Sequence, residues 1–158
     1  TYNGLKFIRV QDGWQAKVDN KKMVFYYLPT QVEDIIIPKE AQQLLLNSPV
    51  LVITYNPNAR GAQDLGQIQY YLEQVLSGPK RFVARGLTNN TQYTSLQQIT
   101  CENATQTFPI LFFNVNSTTN GTQTTFKNNC ITITASRSDT LYKATDRLIY
   151  FTLGVMKE

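Results

Sequence analysis

Between Pro49 and the Asn56-Pro57 dipeptide stands an unbroken apolar run, Val50-Leu51-Val52-Ile53-Thr54-Tyr55. A strand that alternates apolar and polar residues buries one face. A strand apolar at nearly every position must be covered on both, so this run belongs in the middle of a sheet with chain packed above and below it. The loop 56–61 follows, and then Leu65, Ile68, Leu72, Val75 and Leu76 recur at helical spacing until Gly78-Pro79 stops them. That pattern predicts a helix over residues 62–77.

The same logic places a second buried strand at Pro109-Ile110-Leu111-Phe112-Phe113 and a third over residues 129–134, with a brief edge strand at 124–127 and a turn at 116–122. Ser136 with Asp139 three residues on resembles a capping box. Leu141, Ala144, Leu148, Phe151 and Val155 then mark an amphipathic helix over about 139–156. Upstream, Asp12-Gly13 and Asp19-Asn20 are turns between three candidate strands, the last rich in β-branched and aromatic residues at Met23-Val24-Phe25-Tyr26-Tyr27. Residues 39–47 suit a short helix and 81–87 a short strand, while 32–37 is ambiguous until Pro38 stops it. The expected fold is α/β of the α+β kind: a mixed β-sheet, an antiparallel N-terminal meander extending one of its edges, and two long helices on one face. The 158 residues suit one domain, 1–158.

Only 16% of the residues are charged, against about 25% in ordinary soluble domains; Asn, Gln and Thr fill the polar surface. The chain has no histidine, which removes Ser-His and Cys-His nucleophiles and most zinc sites. Two cysteines, Cys101 and Cys130, are too few and too far apart for a zinc site or a close-spaced redox pair. One disulfide is the simplest reading, and two buried thiols in a reducing compartment are the alternative. Asn-x-Ser/Thr sequons at Asn89, Asn103, Asn116 and Asn120 favour an exported protein with glycans. The basic residues are scattered apart from Lys80, Arg81 and Arg85, so no nucleic-acid surface is expected. No run is apolar enough to span a bilayer.

Candidate chemistry is correspondingly thin. No phosphate-binding glycine motif occurs and no cofactor or metal is expected. Asp139 and Asp146 are spaced as a wide carboxylate pair on one helix, and capping accounts for Ser136 and Ser138 better than a dyad with Lys143 does. The loop carrying Asn56, Asn58, Arg60 and Gly61 joins a buried strand to a helix N-terminus, where ligands bind in α/β sheets. Trp14 and Tyr26 in the aromatic meander, with Lys80, Arg81 and Arg85, are candidates for a partner surface.

Several phrases together resemble an uncharacterised family of small archaeal exported proteins with an N-terminal membrane anchor. They are Tyr2-Asn3-Gly4-Leu5-Lys6-Phe7, Trp14, Phe25-Tyr26-Tyr27-Leu28-Pro29, Val32-Glu33-Asp34-Ile35, Ile53-Thr54-Tyr55-Asn56-Pro57-Asn58, Cys101-Glu102-Asn103-Ala104-Thr105, Pro109-Ile110, Asn129-Cys130-Ile131 and Asp146-Arg147-Leu148-Ile149-Tyr150 with Gly154-Val155-Met156. The resemblance implies an outward-facing domain, an anchor upstream of Thr1 and a Cys101–Cys130 pair; it implies no activity. Members of that family often carry Asp at the position of Asn56, and some carry additional cysteines ahead of Cys101; both departures argue against a metal in that loop. The expected function is a membrane-anchored extracytoplasmic binding domain without catalysis, whose partner is a surface protein or a glycan. The alternatives are a structural subunit of a surface assembly, self-associating through residues 2–10 or the meander, and a carboxylate-dependent glycan hydrolase.

Overall fold

The computed structural model describes residues 1–89 and 96–157. Three short strands, β1 (Ile8–Val10), β2 (Gly13–Val18) and β3 (Lys21–Phe25), form an antiparallel meander. Asp19 and Asn20 both take positive φ, which suits the twist of a two-residue hairpin. Gly13 is obligatory, because a Cβ there would stand 2.1 Å from the Phe25 carbonyl oxygen. The register pairs Trp14 with Phe25 and Ala16 with Met23, so these apolar residues share one face.

The apolar run becomes β4 (Val50–Tyr55), an interior strand of a six-stranded sheet. It lies parallel to β5 (Phe82–Leu87) on one side and β7 (Ile110–Val115) on the other. Beyond β7 comes the parallel β9 (Cys130–Ala135), then the antiparallel edge strand β8 (Thr122–Lys127); β6 (Gln97–Gln98) closes the opposite edge beside β5. Leu51 and Ile53 face a core that also takes residues from α1 (Lys39–Asn47), α2 (Ala62–Leu76), α3 (Leu141–Thr152) and the meander. Val52 faces the other way, onto Ile110 and Cys130.

That second face is covered by residues between β6 and β7. Ile99, Cys101 and Ala104 pack on it. Ile99 donates its N–H to the Leu87 carbonyl at 2.8 Å and its own carbonyl accepts from Thr54 Oγ1 at 2.8 Å. A disulfide between Cys101 and Cys130 fastens the cover to the start of β9.

The fold agrees with the mixed α and β content, the meander and the two long helices read from the sequence, with three differences. The meander does not extend an edge: it is a sheet of its own, laid over the helices on the side away from the larger sheet. There its apolar face, Ala16, Met23 and Phe25, is buried, with the Phe25 ring 4.7 Å from that of Tyr150. The last helix spans 141–152 rather than 139–156. Gly154 takes φ +79° and the N–H groups of Val155 and Met156 fold back onto the Tyr150 carbonyl, a glycine-type helix stop. Ser136 caps nothing; the chain enters α3 through a single 3₁₀ turn, Ser138–Thr140, in which Thr140 Oγ1 donates to the Arg137 carbonyl and Arg137 pairs with Asp139.

Candidate binding surface

Strands β4, β5, β7 and β9 run parallel, so their carboxyl ends lie along one edge of the sheet, and the antiparallel β8 begins there too. The chain reaches β5 from β4 through α2 but places β7 on the other side of β4, which is the reversal of strand order beside which α/β sheets bind ligands. At this edge the fold gathers the 56–61 loop, Ser138, and three of the four sequon asparagines, Asn89, Asn116 and Asn120. Asn103 sits apart, in the single turn Cys101–Asn103 beside the disulfide.

The 56–61 loop is tightly self-satisfied. Asn56 Oδ1 accepts the Asn58 N–H at 2.9 Å, and Gly61 takes φ +77° under Ser138. Ser138 Oγ donates to Asp64 Oδ2 at 2.6 Å, and Tyr142 Oη lies 3.1 Å from Asp64 Oδ1. The positive end of the α2 dipole therefore already has a carboxylate, that of Asp64 in its first turn. Asn58 and Arg60 remain exposed on the rim, so the four residues named from the sequence share one turn without converging on a cavity.

A groove of about 630 Å³ opens beside this edge. One wall is the beginning of β8, Thr122 to Thr125; the other is Asp34 to Ile36; Ser136, Thr140 and Lys143 complete it. The backbone of β8 decides its chemistry. Asn128 and Asn129, both at positive φ, close a two-residue hairpin on the Lys127–Cys130 pair. Counting back by twos from that hydrogen-bonded pair, Lys127, Thr125 and Gln123 spend their N–H and C=O groups on β9. Thr122, Thr124 and Phe126 turn theirs outward. The Asn116 N–H reaches the Ala135 carbonyl on the far side of β9 at 2.9 Å, as this alternation requires. Among the described residues no backbone group pairs with the outer edge of β8. Ile36, 79% exposed, stands across from it.

This groove was not visible from the sequence, where 32–37 is ambiguous between elements. The signal was there in outline: three consecutive isoleucines, Ile35-Ile36-Ile37, of which only Ile37 is fully buried.

Asp146 has no exposed surface. Its Oδ1 accepts from Tyr71 Oη at 2.5 Å and its Oδ2 from the Tyr27 N–H at 2.8 Å, while Tyr150 Oη donates to the Tyr27 carbonyl. Desolvation pushes its pKa up to about 7, against the pull of these hydrogen bonds. Burial and the neighbouring carboxyl raise Tyr71 as well. Enclosed in this way, Asp146 ties β3 to α2 and α3. Asp139 points to solvent with Arg137, so the two acids spaced along this segment face no common cavity.

The other candidates are dispersed. Trp14 is half-buried, with the Arg9 guanidinium 5.2 Å from its ring centroid. Tyr26, 39% exposed, packs on Tyr71 and Tyr142. Lys80 is exposed, Arg81 donates to the Leu45 carbonyl at 3.1 Å, and Arg85 pairs with Glu73 at 2.9 Å. Among the described residues no three of His, Cys, Asp and Glu converge as metal ligands, and no helix is long and apolar enough to cross a membrane. Compared with protein-family models, curated proteins and solved structures, the chain finds no match.

Proposed function

We propose that this chain is an extracytoplasmic binding module, held at a membrane by an anchor upstream of Thr1, that grips an extended segment of a partner surface protein along β8 and carries out no chemistry. The observation that carries the reading is the unpaired edge of β8 facing a groove: outward N–H and C=O groups at Thr122 and Thr124 supply the ladder for an added strand, and Ile36 an apolar contact for its side chains. The disulfide and the sequons suit an oxidising exterior, and the resemblance to anchored archaeal exported proteins points the same way. Asn3 Nδ2 donates to the Val155 carbonyl just past α3.

The test is selection of extended peptides from a random library against the whole chain, followed by amide chemical-shift mapping. Binders are expected to shift Thr122, Thr124 and Phe126 and to lose at least tenfold in affinity against Thr124→Pro and Ile36→Asp. Binders indifferent to both changes, or an empty selection, would sink the reading. Concentration-dependent dimerisation abolished by Thr124→Pro would instead assign the edge to a second copy of the chain.

A further inference from the structure

The β7–β8 turn contains two sequons, and one of them is folded into a turn closed by its own side chains. Asn116 Oδ1 accepts two hydrogen bonds from its own sequon, from the Thr118 N–H at 3.1 Å and from Thr118 Oγ1 at 2.7 Å. Its backbone N–H is fixed to the Ala135 carbonyl at 2.9 Å, and the Thr119 N–H closes the turn on the Asn116 carbonyl at 2.9 Å. Asn116, Ser117 and Thr118 are all exposed.

We propose that Asn116 is the acceptor of an N-linked glycan and is filled ahead of the other sequons; this rests on the extracytoplasmic reading, since the donor is found outside the cytoplasm. An amide nitrogen is a weak nucleophile because its lone pair is delocalised into the carbonyl. Two donors on Oδ1 stabilise the charge that builds on oxygen as a proton leaves Nδ2, and they turn Nδ2 towards solvent. With a lipid-linked oligosaccharide phosphate as donor, the C1–Nδ2 bond forms as the C1–O bond to phosphate breaks. The lipid phosphate departs with the bonding pair and the amide proton passes to a base of the transferase.

The other sequons differ. Asn103 spends its Oδ1 on the Thr100 N–H at 2.9 Å, and Thr105 Oγ1 accepts from the Phe108 N–H at 3.0 Å instead of donating to Asn103. In the sequon of Asn120, Thr122 already belongs to β8, and no hydrogen bond joins its hydroxyl to the asparagine side chain. The sequon of Asn89 runs into residues outside those described.

The purified, folded, disulfide-bonded chain is treated with a single-subunit oligosaccharyltransferase and its lipid-linked donor, and occupancy is read at each sequon by glycopeptide mass spectrometry over time. Asn116 is expected to fill at least fivefold faster than Asn103. Thr118→Ala should abolish modification at Asn116 alone and Thr118→Ser should retain it in part, and in the reduced, urea-unfolded chain the sequons should fill at comparable rates. Asn103 filling first, Asn116 staying bare, or the same order in the unfolded chain would each overturn the inference. Because the transferase is supplied, those outcomes leave the extracytoplasmic reading standing; that reading is tested separately, by surface proteolysis of the producing cells.

Discussion

Tyr71 Oη stands 2.5 Å from Asp146 Oδ1, and this one contact joins α2 to α3 where the chain leaves β3. The carboxyl it holds is cut off from water, and its proton affinity reports on the whole junction.

Stability should therefore fall as pH rises. The folded pKa of Asp146, about 7, lies above its ordinary 3.8, so between these values the folded chain holds a proton that the unfolded chain releases. The contribution is complete below about pH 4 and is lost as the pH passes 7, a change on the order of 4 kcal/mol. Chemical denaturation at pH 4.5 and pH 8 should show the higher midpoint at pH 4.5, and Asp146→Asn should flatten most of the difference. No histidine titrates in the same window. A midpoint that rises with pH would refute the assignment.

Breaking the disulfide should act locally as well as globally. Replacing Cys101 and Cys130 together by Ala should cost about 3 kcal/mol, as for loops of this length. Hydrogen exchange at the Ile99 amide, bonded to the Leu87 carbonyl, should quicken by more than the amides of β4 do. Uniform acceleration would mean that the crossover segment is held by its apolar contacts and not by the bond.

Proline scanning should read the alternation of β8 directly. Thr124→Pro removes an outward N–H and should cost under about 1 kcal/mol, whereas Thr125→Pro removes a ladder bond to β9 and should cost about 3 kcal/mol or more. Equal costs, measured by urea unfolding, would contradict the register.

Gly61→Ala should destabilise by about 2 kcal/mol, since a left-handed residue gains a Cβ and that Cβ would lie 2.3 Å from Ser138 Oγ. Pairing it with Ser138→Gly should recover the steric share, so the two costs should add to more than the double variant shows. Strict additivity would separate the loop from the start of α3.

Much of this architecture is legible in the sequence because local signals coincide with global burial. The run at 50–55 is an interior strand, and Leu65, Ile68 and Leu72 lie on the buried face of α2. What escaped are relationships between distant segments. Alternation in residues 14–25 identifies strands but says nothing about which layer they join, and the third layer changes the meaning of α3. Thr145, Asp146 and Arg147 look like a solvated face, yet all three are buried. The consecutive Leu148-Ile149-Tyr150-Phe151 was the sign that this helix is covered all round. The groove depends on the unpaired side of a strand, a property of sheet order rather than of any residue type. In the 56–61 loop the sequence located the strand-to-helix turn, but only the fold reveals that Asp64 and Ser138 fill its polar end.

The placement of the meander also orders events in time. Phe25, Tyr26 and Tyr27 settle against residues of α3 more than a hundred positions later. Tyr71 of α2, on which Tyr26 packs, is made near mid-chain, whereas Asp146 and Tyr150 of α3 are added only when nearly all the rest has followed. The packing of the meander is therefore complete only once the last helix is in place.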